Sequence, residues 1–430
     1  MAAAVLVIVA VGAAGQTPQA SQVEQTSSSQ RTPGELKIQW GRNSIHTAPE
    51  KFQGYNQLAL GLIRRARETA DTGCYTEAEQ AVKKSVELAP DNFEARKAEI
   101  EILLGRQDFA PALAKARALN LKAPDDVQLW GYLAEANIGL GDYPEAEKAA
   151  QWMLDLRPGN VPGLIEGAAL RKLYGDIDGA RDFLNQAYQQ TPPNEFEEAA
   201  WLLTEMADLE RGSGRLDRAE KLLAEAQGIF PGYYRALEGQ ARVRMARREY
   251  VEAVELLSRR NQSFPTLGSE YALAAALTQA GRTSEAAALY ARFEREARGR
   301  MENADNANRE LILYYVDQAH QPAEALRIAR LEATRRHDVL TLDAFAWALY
   351  ANAQYTEAQN QMNRALAVGI QDGQLFYHAG QIASKLGFRA QAAQYFKQAH
   401  DLGALPEELK AVGEIPAGVE TAASRGASPK

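Results

Sequence analysis

The sequence predicts an all-α chain of about ten helix–turn–helix units, and three periodic series of residues predict it. Ala78, Ala112, Ala146 and Ala180 are spaced by 34 residues, and the series continues at Ala219, Ala253, Ala286, Ala325, Ala358 and Ala392. Prolines keep the same interval at Pro90, Pro124, Pro158 and Pro192, then at Pro231 and Pro265, and both series slip by five residues between the fourth and fifth units. Twelve residues before each alanine stands a mostly small residue: Ala66, Ile100, Ala134, Ala168, Ala207, Ala241, Ala274, Leu313, Ala346 and Gly380.

Each part of a unit has a local cause. Gly73, Gly141, Gly175, Gly214, Gly281 and Gly387 lie between the two small residues, where glycine takes the left-handed conformation that ends a helix. The proline then stops the second helix through its missing N–H and fixed φ. Small residues let the two helices of a hairpin approach closely, and enlarging one is expected to cost about 1–3 kcal/mol by overpacking. Two segments break the period. PNEFEEA at 193–199 is expected to lengthen the first helix of the fifth unit, with Asn194 as its N-cap. EREARGRMENADNAN at 294–308 reads either as an extended helix followed by an adaptable loop or as a slight hinge between two sub-arrays.

The third unit is the most regular copy, with Trp130, Leu133, Ala134, Gly141, Tyr143, Ala146, Ala150 and Pro158 in register. In these spacings the chain resembles the tetratricopeptide repeat family. The resemblance covers residues from about 59 to 405, with departures: units seven to ten lack the terminating proline, and Leu313 replaces the small residue of the eighth. It implies a right-handed α-solenoid whose first helices line a concave groove that holds a protein or peptide. It also implies that the second, fifth, sixth, ninth, twelfth and thirteenth places of each first helix face that groove. Near the N-terminus these places select Arg64, Arg67, Lys97 and Glu101, and in the middle Tyr132, Glu135, Glu166, Glu205, Asp208, Arg211, Glu238 and Arg242. Toward the C-terminus they select Tyr314, Asp317, Asp343, Trp347, Tyr350, Tyr377, His378 and Gln381.

The candidate partner-binding groove is therefore Tyr314, Asp343, Trp347, Tyr350, Tyr377, His378 and Gln381, with Tyr132 and Glu135 from the third unit. Aromatic rings there offer contact area and polar tips for a peptide or a sugar. The competing reading is that the rings fill the spaces between neighbouring helices. A clamp for an acidic C-terminal carboxylate, known in some members of the family, is not expected. Lys97 is followed at the corresponding positions by Glu101, Tyr132 and Glu166.

Composition bounds the remaining classes. With 48 Lys and Arg against 56 Asp and Glu, the net charge of -8 gives no reason to expect nucleic acid as the partner. A lone cysteine, Cys74, excludes an intramolecular disulfide and a thiolate zinc site, and its place in the first turn marks it as incidental. No phosphate loop, HExxH pair or nucleophile turn occurs, and the five histidines lack metal-ligand spacing along one helix. Adjacent acidic pairs such as Glu197 and Glu198, or Glu407 and Glu408, are expected on solvated helix faces, because neighbouring positions diverge on a helix. No catalytic residue, cofactor or metal is expected.

The run from Ala2 to Gly15 is apolar and ends in small residues, as a signal peptide over 1–15 would. The first basic residue is Arg31, and the run is shorter than the about 20 apolar residues of a membrane span. Residues 16–48 are rich in Gln, Ser, Thr and Pro and are expected to form a disordered linker before a solenoid over 49–405. A short capping helix and a disordered tail are expected over 406–430. The functional expectation is a non-enzymatic protein- or peptide-binding scaffold in the bacterial envelope, periplasmic or secreted, without membrane insertion after signal cleavage. A cytoplasmic location is the alternative. The alternatives for function are a helical-hairpin enzyme acting on glycans, which needs two inward carboxylates flanking a pocket, and a subunit of an envelope biogenesis or export complex.

Overall fold

The structure, a computed structural model, describes residues 31–403, and every regular element among them is a helix. The expected signal peptide and the C-terminal cap and tail lie outside the described residues. One helix, α1 (Pro33–Thr47), precedes ten hairpins. The first five hairpins are α2 (Phe52–Thr69) with α3 (Gly73–Leu88), α4 (Phe93–Gly105) with α5 (Phe109–Asn120), α6 (Val127–Leu140) with α7 (Tyr143–Leu156), α8 (Val161–Leu173) with α9 (Ile177–Gln190), and α10 (Phe196–Gly212) with α11 (Leu216–Ile229). The next five are α12 (Tyr234–Ala246) with α13 (Tyr250–Arg260), α14 (Leu267–Gln279) with α15 (Thr283–Gly299), α16 (Asn308–Asp317) with α17 (Pro322–Glu332), α18 (Val339–Ala351) with α19 (Tyr355–Leu366), and α20 (Gly373–Lys385) with α21 (Arg389–Asp401). Each packs on the next to form a helical-repeat solenoid.

The repeat residues do what their spacing predicts. All ten alanines of the series are buried, eight of them at 0% exposure, so the hairpin contact is dry in every unit. Five of the six turn glycines have φ between 73° and 86°. Gly73 differs: it opens α3, and Ala70 takes the left-handed place at φ 65°. Cys74 accordingly lies within α3 and is buried, where burial and then Asp71 push its thiol up to about 12, so it is no nucleophile at neutral pH.

Three expectations are corrected or sharpened. The part of 16–48 that the structure describes is not a linker, because α1 folds onto α2. Thr32 and Glu35 form a capping box at its start, and Glu68 of α2 accepts the Gly34 N–H at 2.9 Å. Its apolar side chains gave little warning, since Leu36 and Trp40 face solvent and Ile38 is only half-buried, while Gly34 and Gly41 are buried. A β-carbon on Gly41 would fall 2.5 Å from the Leu58 nitrogen, so α1 is held by close backbone approach together with the packing of Ile38. The fifth unit's first helix is lengthened as expected, to 17 residues, but its N-cap is Glu195, not Asn194. In the 294–308 segment, α15 runs on to Gly299 and the loop after it is tied down. Arg335 donates to the Met301 carbonyl at 2.8 Å and Asn308 Nδ2 to the same oxygen at 3.1 Å.

The superhelix closes on itself. The turn of the third unit meets the head of the ninth, six units later: His337 N–H donates to the Leu140 carbonyl at 3.0 Å, and Val339 N–H donates to the Tyr143 hydroxyl at 2.9 Å. Gly141 is the point of closest approach, since a β-carbon there would lie 2.6 Å from the His337 carbonyl carbon. Gly175 of the fourth unit stands in the same relation to Gly369 before the tenth, at 2.5 Å from its carbonyl oxygen. Gly214 has a similar φ of 73° but nothing within 4 Å of such a carbon. Gly214→Ala is therefore expected to cost about 1 kcal/mol for the left-handed backbone alone. Gly141→Ala is expected to cost about 1–3 kcal/mol more, by forcing the seam apart. Urea denaturation of the two variants checks this, and equal losses would show that the seam is not a tight contact.

Candidate functional site

The first helices face inward, and their second, fifth, sixth, ninth and twelfth places line two cavities inside the superhelix. The larger, 430 Å³, is lined by Arg67, Glu135, Ile138, Ile165, Glu166, Ala169, Lys172, Glu197, Glu198, Trp201, Glu205 and Arg235, among others. The smaller, 190 Å³, shares Lys172, Glu205 and Arg235 and continues through Asp208, Arg211, Glu238 and Arg242. The inner walls reach one another across this space. Arg64 of α2 pairs with Glu195 at the head of α10 at 2.6 Å, and Arg67 lies 3.6 Å from Glu197.

The charges divide into satisfied and unsatisfied groups. Lys172 pairs with Asp208 at 2.7 Å, Arg211 pairs with the same carboxylate at 2.7 Å, and Arg260 pairs with Glu238 at 2.6 Å. Burial pushes the Asp208 carboxyl up, but the Arg211 and Lys172 cations outweigh it and hold the group well below the usual range. Glu135 and Glu166 have no such partner. Glu135 is exposed within the cavity, yet protein surrounds it. Withdrawal from bulk water first, and the Glu101 charge second, raise its pKa to about 7 against the pull of Arg67. Glu166 is raised well above its ordinary value by burial and then by Glu135. An acid raised on folding makes the folded chain bind more protons than the unfolded one, so this pair lowers stability as pH rises through and above the ordinary carboxylate range.

Of the nine candidate groove residues, only Glu135 is exposed, and it lines the larger cavity. Tyr132 is 7% exposed, and its hydroxyl is taken by Glu101. Asp343, Trp347, His378 and Gln381 are buried, and Tyr314, Tyr350 and Tyr377 are half-buried. Trp347 is sandwiched between Tyr350, stacked at 4.7 Å, and His378, stacked at 4.1 Å, while its Nε1–H donates to Asp317 at 2.8 Å. His378 Nδ1 lies 2.8 Å from Asp343 Oδ1. Burial draws the His378 pKa down, but Asp343 and then Asp317 outweigh it and keep the imidazole above its ordinary value. Tyr314 packs on Tyr290 and Tyr315 at 5.2 and 5.4 Å. The aromatic groove is thus corrected: Trp347, Tyr350 and His378 fill the space between α18 and α20, with Asp317 of α16 at its edge, while Tyr314 packs against Tyr290 of α15.

The lumen residues not singled out from the sequence fall into two kinds. Lys172 occupies a twelfth place, and Trp201 and Arg235 occupy second places, so the repeat frame contained them. Glu197 and Glu198 sit in the five-residue insertion, which the frame does not number. Contrary to the expectation of solvated faces, both line the larger cavity, with Glu197 accepting from the Tyr233 hydroxyl at 3.0 Å. The other acidic pair, Glu407 and Glu408, lies outside the described residues.

The sequence profile of the tetratricopeptide repeat matches residues 98–161 and 204–264. Over those two stretches the chain carries tetratricopeptide repeats. Among solved structures, it is similar to human IFIT1 in a dimer with PPP-AAAA, at 13% identity and a TM-score of 0.49, over 87% of this chain and 96% of that one. It is also similar to the tetratricopeptide protein TTC0263 of Thermus thermophilus, at 20% identity and a TM-score of 0.36, over 44% and 97% of the two chains. PilW, a type IV pilus biogenesis factor, is similar at 13% identity and a TM-score of 0.40, over 51% and 97%. No curated protein matches the chain.

Replacing Trp347 by Ala removes a buried ring from between two others and is expected to cost about 3–5 kcal/mol. Urea denaturation measures it, and a variant as stable as the parent would return these rings to the role of a ligand surface.

Proposed function

We propose that this tetratricopeptide chain is a scaffold that receives an extended segment of a partner protein inside its superhelix. The observation that carries this is the pair of cavities sharing Lys172, Glu205 and Arg235 on the inner face of five first helices, α2, α6, α8, α10 and α12. Their walls combine an apolar floor of Ile138, Ile165 and Trp201 with side-chain charges of both signs, the mixture that fixes a polypeptide by packing and by a few oriented polar contacts. We place the scaffold in the bacterial envelope on the strength of the apolar, small-residue-ended run at Ala2–Gly15. Membership of an envelope biogenesis or export complex is the process this suggests.

A photo-crosslinking amino acid at Ala169, which lines the larger cavity, tests both parts in intact cells. A discrete adduct in the periplasmic fraction is expected at this position and not at exposed Lys83 on α3. Adducts only at position 83 would overturn the lumen reading, and adducts only in the cytoplasmic fraction would overturn the placement.

A second reading rests on Glu135 and Glu166. A glycan-cleaving enzyme requires two inward carboxyls beside a pocket, one of them held protonated as the acid, and burial raises Glu166 well above its ordinary value. It predicts release of reducing ends from soluble glycans, reduced at least about a hundredfold in Glu166→Gln, given the usual contribution of general acid–base catalysis. Absence of turnover by the parent chain removes it.

A further inference from the structure

The fixed charges of the lumen do not cancel locally. Lys172, Arg211, Arg260 and Arg67 each have a carboxylate partner on the inner wall. Glu135 of α6 and Glu166 of α8 have no ion pair or hydrogen bond with any described residue, although each lines the larger cavity. Toward the other end of the paired cavities, Arg235 and Arg242 of α12 make no ion pair with a described carboxylate. Arg235 is engaged by its neutral neighbour Tyr234, whose ring centre lies 5.4 Å away. One end of the lumen therefore has surplus carboxyl groups, which ionise when a cation is seated there, and the other has surplus positive charge.

We propose that the lumen selects a polypeptide segment carrying a Lys or Arg side chain, seated between Glu135 and Glu166, and an acidic group further along, held by Arg235 and Arg242. This rests on the reading that the lumen receives a partner's segment. The occupant is a side chain on a backbone, for three reasons. Among the described residues, no group of three His, Cys, Asp or Glu converges to hold a metal ion. A nucleic acid would bring phosphates against Glu135 and Glu166, in a chain already at -8. An aliphatic stem reaching the two carboxylates would cover Ile138 and Ile165 on the same wall, as long basic side chains do when their heads stay hydrated.

Proton linkage gives the site a signature. The groups facing the two carboxylates are Arg67 on α2, Glu101 on α4, Lys172 on α8, Glu197, Glu198 and Glu205 on α10, and Arg235 on α12. Burial first, and the acids that dominate this set second, make both carboxyls hold protons more tightly than usual. A cation seated there favours the ionised forms. Binding therefore releases protons, and affinity rises as pH rises from about 6 to 8.

The test displays random twelve-residue peptides to the immobilised full chain and to its Glu135→Gln/Glu166→Gln variant. Neutral amides keep the shape and remove the repulsion, so the variant is expected to stay folded. Wild type is expected to enrich peptides that combine a Lys or Arg with an Asp or Glu several residues away. The variant is expected to lose the basic preference and to bind the selected peptides at least about tenfold more weakly. Calorimetry of one selected peptide in two buffers of different ionisation enthalpy is expected to report proton release at pH 7. Enrichment without a basic preference, or unchanged affinity in the variant, overturns this inference and leaves the scaffold reading standing. Enrichment of no peptide overturns both.

Discussion

Everything else in this chain depends on how closely two helices of a hairpin can approach. Eight of the ten repeat alanines are fully buried, and a methyl at each of these places leaves room for the two helices of a hairpin to approach closely. That distance fixes the angle from one hairpin to the next, and repetition multiplies it. After six hairpins the accumulated rotation brings the turn of the third unit against the head of the ninth, where Leu140 and Tyr143 bond to His337 and Val339. A bulkier residue at any alanine would alter the angle and so move the seam, at a distance from the substitution.

Closure changes the electrostatics of the inner face. In an open groove, Glu135 and Glu166 would be solvated and ordinary. Inside a closed turn they are ringed by α2, α4, α8 and α10, where fewer waters screen them and repulsion from Glu101 and from each other persists. The ion pairs around Lys172 and Asp208 show the opposite result of the same confinement, since a matched pair there is strengthened. The chain carries both arrangements within one cavity system, so binding chemistry is set by which charges lack a partner rather than by net charge.

The fold was legible in the sequence because a repeat encodes it many times over. Ala146 states one rule that nine other units restate, and Pro158 and Gly141 state two more that five other units each restate. The orientation of the middle first helices was equally legible: Glu135, Glu166, Glu205, Asp208, Arg211, Glu238 and Arg242 all line the cavities. Three things were not. The frame says which way Trp347 and Tyr350 point, but not that His378 from the next unit fills the same gap, because occupancy depends on three units at once. Nor does local sequence reveal α1, whose closest contact is made by Gly34 and Gly41, residues that weaken a helix in isolation and stabilise this one only through its approach to α2. Glu197 and Glu198 escaped for a third reason, being carried by the insertion that interrupts the frame.

The seam also alters how the molecule comes apart and together. An open solenoid is nearly one-dimensional: each unit feels only its neighbours, and the array frays from its ends. Here the Val339–Tyr143 bond joins residues 196 apart in sequence. Losing the ninth unit therefore strips contacts from the third, and the array melts more as a single cooperative body than as a zipper. Assembly acquires a direction as well. The later hairpins complete their packing only against an earlier turn that already exists, so the first units serve as a template on which the last ones settle, and these non-local contacts slow the final step.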